Sequence, residues 1–135
     1  MKRTLNALFV LILAIGFFNA TSVETDHDTT KVAIITFKTE VIDYGTVVQN
    51  SDGTRIFNFT NEGDAPLLIT KVKTSCGCTV SSYSKAPIMP GKSGEIQIKY
   101  NTKKLGSFTK TVTVMSNAEG GNKILKIKGN IIAAK

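Results

Sequence analysis

Beyond residue 30 the chain is written in short alternating runs. TRIFNFT (54–60) sets Phe57 and Phe59 on one face and Asn58 on the other, the two-residue period of a half-buried strand. EIQIKY (95–100) alternates Ile96, Ile98 and Tyr100 with Gln97 and Lys99, and KILKIKGNII (123–132) alternates Leu125 and Ile127 with Lys126 and Lys128. In PLLITKVKTS (66–75), Leu68, Thr70 and Val72 alternate with Ile69, Lys71 and Lys73, which predicts a strand ending with one wet face. KVAIITFKTE (31–40), VIDYGTVV (41–48, ending near Gly45) and FTKTVTVMS (108–116) read as further strands. Turn signals stand between the runs: NSDG (50–53), NEGD (61–64), MPGK (89–92), LGS (105–107) and NAEGGN (117–122). In MPGK, Pro90 pre-sets φ and Gly91 is free to take a positive one. No apolar period of 3.6 is sustained, and β-branched residues dominate. The pattern predicts an all-β fold, a single immunoglobulin-like antiparallel β-sandwich of about seven strands over residues 31–135. With no tryptophan and no widely spaced cysteine pair, its core is expected to hold by apolar packing alone.

The N-terminus follows a different grammar. Lys2 and Arg3 precede an unbroken apolar run from Ala7 to Phe18, shorter than the roughly 20 residues a membrane-spanning helix needs. This is the layout of a secretory signal peptide. Cleavage after Ser22 places the small residues Ala20 and Ser22 at the cut, whereas cleavage after Ala20 would leave bulky Phe18 at the −3 position. The expectation is a signal peptide over 1–22, a flexible polar leader over 23–30, and an exported periplasmic or extracellular domain with no membrane span after cleavage.

Charge changes the picture further. Residues 23–70 carry three basic and eight acidic side chains, a net of −5, while residues 71–135 carry twelve basic and two acidic, a net of +10. A basic half suggests an anionic partner. For an exported chain that partner is expected to be an anionic envelope polymer or a protein, and not nucleic acid. Lys71, Lys73, Lys126 and Lys128 are the candidate basic surface. The bland alternative is that these lysines are the solvated dressing of strand faces and edges.

Catalytic constellations are scarce. The single histidine, His27, stands between Asp26 and Asp28 in the polar leader, where no rigid frame holds a general base against its target. There is no phosphate-cradling glycine loop, no nucleophile elbow and no carboxylate pair in an apolar frame. No catalytic residues and no hydrolase or transferase activity are expected.

Both cysteines lie in TSCGCTV (74–80), one residue apart. In an extended strand residues i and i+2 share a face with Cα atoms roughly 6.6 Å apart, at the upper limit of the disulfide range of about 4.4–6.8 Å. Gly77 lets the backbone bend and bring the sulfurs together. So short a ring would be strained and more oxidising, and it would constrain little of the unfolded chain. Three readings stand open for Cys76 and Cys78. One is a local disulfide or redox-labile pair, and another is two small buried thiols packed as hydrophobes. The third is a soft-metal site for Cu(I) or Zn, although four-coordinate Zn needs ligands the chain barely has. Lys71, Lys73 and Lys85 are near in sequence and would acidify a thiol if they were near in space.

Asp43-Tyr44-Gly45, Asn61-Glu62-Gly63, Ser75-Cys76-Gly77-Cys78-Thr79, Pro90-Gly91 and Ser116-Asn117, in this order, resemble the exported bacterial family called domain of unknown function 1573 over about residues 33–132. The resemblance implies an immunoglobulin-like sandwich related in shape to PapD and major-sperm-protein domains, and it implies no activity. Tyr44 departs from the phenylalanine frequent there in the family. The function expected is a non-enzymatic binding or scaffold module, with strand edges open to strand addition. A thiol redox or soft-metal-handling protein built on Cys76 and Cys78 is the alternative.

Overall fold

The computed structural model describes residues 29–135, so the signal-peptide expectation, His27 and most of the polar leader lie outside the described residues. Eight strands form: β1 Ile35–Phe37, β2 Val41–Val48, β3 Thr54–Asn61, β4 Ile69–Thr74, β5 Thr79–Tyr83, β6 Ser93–Tyr100, β7 Gly106–Ser116 and β8 Lys123–Ile132. They make two four-stranded sheets, β1-β3-β6-β5 and β2-β8-β7-β4. Among the described residues no helix is long and apolar enough to cross a membrane.

The sandwich matches the expectation with two differences. An eighth strand, β5, pairs with β6 in the register Thr79↔Tyr100 to Tyr83↔Ile96. It was illegible because Thr79, Ser81 and Tyr83 turn inward, so its buried face is too polar to show an apolar alternation. The sheets are also not wholly antiparallel, because β2 runs parallel to β8. Their strands are far apart in sequence, so no hairpin turn fixes their direction.

Phe57 and Phe59 of β3 and Ile96, Ile98 and Tyr100 of β6 supply one wall of the core; Phe108, Val112 and Val114 of β7 with Leu125, Ile127 and Ile131 of β8 supply the other, and all are buried. Burying each such side chain contributes about 1.5–3 kcal/mol.

β4 corrects the sequence reading. Ile69 is 6 % exposed and Leu68 39 %, the reverse of the predicted face. A register shift between Ile69 and Lys71 then returns Val72 inward, because an extra residue changes the phase of a strand. β2 likewise continues past Gly45 to Val48 across an irregularity between Asp43 and Thr46, with Gly45 at φ 64°.

Four of the five sequence signatures are explained by backbone geometry. Gly45 N–H donates to Asp43 Oδ1 at 2.8 Å. Asn61, fully buried, accepts from Ile34 N–H and Gly63 N–H and donates to the Ala65 and Ile88 carbonyls. A Cβ on Gly63 would collide with the Val32 carbonyl. Lys92 N–H donates to the Met89 carbonyl around Gly91 at φ 77°, the Pro-Gly turn anticipated. Asn117 accepts from Leu68 N–H and donates to the Pro66 carbonyl. The fifth signature holds the cysteines.

Candidate functional site

β4 ends at Thr74 and β5 begins at Thr79, so Ser75–Cys78 carry the chain from the edge of one sheet to the edge of the other. The corner is held by hydrogen bonds on every side. Ser75 N–H donates to the Thr111 carbonyl, and Thr111 N–H donates to Ser75 Oγ. Thr74 Oγ1 donates to the carbonyls of Cys76 and Thr79 at 3.0 and 3.1 Å. Asn101 N–H donates to the Cys78 carbonyl at 2.8 Å.

At its apex the sulfurs of Cys76 and Cys78 are joined, with Cα atoms 5.3 Å apart. This differs from a pair of buried free thiols: both residues are half-buried. A disulfide presents no thiolate, so in this arrangement neither sulfur is the anionic ligand that Cu(I) or Zn requires. No group of three His, Cys, Asp or Glu side chains is placed to hold a metal ion among the described residues. Gly77 has no positive φ, and a Cβ there would meet nothing within 4 Å. The corner therefore does not need glycine's conformational range, contrary to expectation, and the space beside Gly77 is open.

The two sulfurs are not equivalent. Cys78 packs against the hydrophobic core, and Cys76 stands outside it. Cys76 Sγ lies 3.8 Å from the buried Thr79 hydroxyl. Two clefts flank the corner. One, of about 770 Å³, is lined by Gly77 and Cys78 with Lys99, Lys103 and Asp52. The other, of about 410 Å³, is lined by both cysteines with Lys104, Lys110 and Phe108. Tyr100 lines both. It stacks on Phe108 with ring centroids 3.8 Å apart, and Tyr44 meets Phe108 edge-on at 5.3 Å. The Arg55 guanidinium lies 4.2 Å over the Tyr44 ring. Burial pushes the Tyr44 hydroxyl up to about 12, against the opposing pull of Arg55, and burial also raises Tyr100. Asp52 is held below the usual carboxylate range by hydrogen bonds from Thr54.

Lys71, Lys73 and Lys85, near the cysteines in sequence, line neither of these clefts. The strand phase explains this for two of them: Lys71 and Lys73 point outward from β4, and Lys85 is exposed after β5. Lys104 and Lys110 take that place. Lys110 left a local trace, because it occupies the inward parity of β7 with Phe108, Val112 and Val114. A lysine on the apolar phase of a strand is the signal that finds it. Lys104 left none, since only the folding of the β6–β7 turn against the corner brings it there.

Lys71, Lys73, Lys126 and Lys128 do share one surface, the outer face of the β2-β8-β7-β4 sheet. Lys73 lies opposite Thr113, Thr113 opposite Ile124, and Lys126 opposite both Thr111 and Val41. Lys128 is 3.6 Å from Asp43 across β2 and β8, with both side chains more than half exposed, a pair that solvent screening leaves weak. Val41 and Ile124 are exposed on the same face.

Similarity to solved structures is confined to fold. A protein of unknown function from Porphyromonas gingivalis W83 superposes with a TM-score of 0.65 at 16% identity, over 73% of this chain and 46% of that one. This chain therefore spans less than half the length of that relative. The ASH/PapD-like domain 7 of human CEP192 gives a TM-score of 0.65 at 9% identity over 77% of this chain and 89% of that one. The secreted serine protease VesC from Vibrio cholerae gives 0.58 at 15% identity, over 76% of this chain and 24% of that one. No curated protein matches the sequence. Residues 35–131 match the family model described as protein of unknown function (DUF1573), and the chain belongs to that family.

Proposed function

We propose that this chain is an exported, non-enzymatic binding module that meets an anionic polymer of the cell envelope through the outer face of the β2-β8-β7-β4 sheet. The observation that carries the reading is the gathering of Lys71, Lys73, Lys126 and Lys128 on that one face. Two pairs, Lys71/Lys73 and Lys126/Lys128, repeat along their strands at the same-face spacing of roughly 6.6 Å. Exposed Val41, on the neighbouring strand β2, and Ile124, on β8 itself, add apolar contact on the same face. A positively charged sheet face favours an extended, repeating polyanion, and its attraction falls with ionic strength.

The test is binding of the exported chain to dextran sulfate and to neutral dextran over a salt series. Retention by the sulfated polymer alone, weakening with salt and lost when the four lysines become glutamine, supports the reading. Lys85→Gln serves as the off-face control and should bind as the parent does. Equal retention by both polymers, or a quadruple variant that binds unchanged, removes it. Capture of an acidic protein without affinity for the polyanion would move the partner to the protein class.

A further inference from the structure

We propose that the Cys76–Cys78 corner is a reversible thiol–disulfide exchange site, with Cys76 as the exchanging sulfur and Cys78 as its resolving partner, acting on anionic thiol-bearing peptides. The bond encloses a single residue, so it constrains little of the unfolded chain and is a poor staple. The corner is already fixed by Thr74, Ser75 and Asn101 hydrogen bonds that do not involve the sulfurs. Both cysteines are half-buried and line a cleft open to a reactant, in a turn whose backbone does not demand glycine.

The roles follow from the asymmetry of the pair. Cys78 is packed against the core and Cys76 is not, so an incoming sulfur meets Cys76. A Cys76 thiolate would accept a hydrogen bond from the Thr79 hydroxyl, now 3.8 Å from its sulfur, and would share its cleft with Lys104 and Lys110. On the other side Cys78 faces Lys99 and Lys103, with Asp52 the acidic group in that cleft and the Tyr100 phenol between the two. The surroundings are positive on both sides, which favours thiolate over thiol and draws in an anionic reactant.

In the oxidising direction a substrate thiolate attacks Cys76 Sγ. A substrate–Cys76 bond forms, the Cys76–Cys78 bond breaks, and the electron pair leaves on Cys78, which takes a proton from water. A second substrate thiolate then attacks the substrate sulfur of the mixed disulfide, and the pair returns to Cys76. The substrate departs as a disulfide, having given two electrons to the protein. With a substrate disulfide and the reduced protein, the same steps run backwards.

The probes are oxidised glutathione, which is anionic, and cystamine, which is cationic, used on the reduced full chain and read by mass. Cys78→Ser should form the glutathione adduct at Cys76 on the order of tenfold faster than Cys76→Ser forms one at Cys78. Lys104→Gln with Lys110→Gln should raise the pH at which Cys76 becomes reactive. If the thiol pKa rises by one unit, the rate at neutral pH falls only about threefold, because nucleophilicity partly compensates. The same pair of substitutions should not slow cystamine more than glutathione. Urea midpoints confirm that each variant is folded. Equal reactivity of the two cysteines, indifference to the lysine substitutions, or a native disulfide that dithiothreitol reduces only after unfolding would each overturn the proposal.

Discussion

The Tyr44 hydroxyl donates to the Gly53 carbonyl oxygen at 2.6 Å, inside the protein. It thereby ties the middle of β2 to the turn that enters β3, at the rim of the aromatic floor beneath the disulfide corner. A Cβ on Gly53 would collide with the Tyr100 carbonyl, so the acceptor is held in place by backbone packed directly against it.

Tyr44→Phe keeps the ring and leaves that carbonyl with the Tyr100 N–H alone, at 3.0 Å, and it should lower stability by about 1 kcal/mol, the net worth of one hydrogen bond, read as a shift in the urea midpoint. An unchanged midpoint would mean that water replaces the hydroxyl without loss.

Alkaline stability should depend on the same residue. Its folded pKa, about 12, lies above the ordinary tyrosine value of 10.0, so the native state keeps a proton that the unfolded state releases. The contribution is therefore fully present below pH 10 and lost as pH rises from 10 to 12. Urea midpoints across that window should fall less steeply in Tyr44→Phe than in the parent. Equal slopes would assign the loss to other groups, Tyr100 first among them.

Asn61→Ala removes four hydrogen bonds from a fully buried site. The backbone groups of Ile34, Gly63, Ala65 and Ile88 lose their side-chain partner, and the cost should be on the order of 3 kcal/mol or more. Asn61→Asp should not rescue it, because an ionised carboxylate cannot donate to the Ala65 and Ile88 carbonyls. Chemical denaturation of the two variants side by side checks both statements.

Two glycines should respond oppositely to alanine. At Gly63 the new methyl meets the Val32 backbone, so Gly63→Ala must displace a chain segment and should be clearly destabilising. At Gly77 it meets open space without a positive φ, and Gly77→Ala should fall within about 0.5 kcal/mol of the parent. Thermal midpoints of the pair suffice, and a large loss at Gly77 would mean that the corner is tighter than it looks.

Replacing both cysteines by serine should cost only about 1.5 kcal/mol, the loop-closure value for so short a ring. Polyanion binding on the lysine face should survive, because the four lysines project from the outer face of the sheet and line neither cleft at the cysteines. Loss of binding together with the disulfide would mean that the corner holds the end of β4, and with it Lys71 and Lys73, in place.

Much of this protein was legible in its sequence. Alternation at Phe57/Phe59, Ile96/Ile98 and Leu125/Ile127 defines strands with one buried face, because side-chain direction in a strand depends only on parity. Turns at MPGK and NEGD were equally plain, since Pro90, Gly91 and Gly63 report local backbone demands. Where parity is broken, the sequence misled: the register shift in β4 exchanges Leu68 for Ile69, and a bulge leaves no composition of its own. β5 was hidden because its inward residues are Thr79, Ser81 and Tyr83. The two sites divide in the same way. That Lys71 and Lys73 share a face, and Lys126 and Lys128 share one, followed from the period of two. That these are the same face required the sheet order β2-β8-β7-β4, which is set by core packing between segments distant in the chain. The cysteine pair was visible as a local feature. Its lysine neighbours, its uneven burial and the Thr79 contact were decided only by tertiary structure, because clefts are made where elements remote in sequence meet.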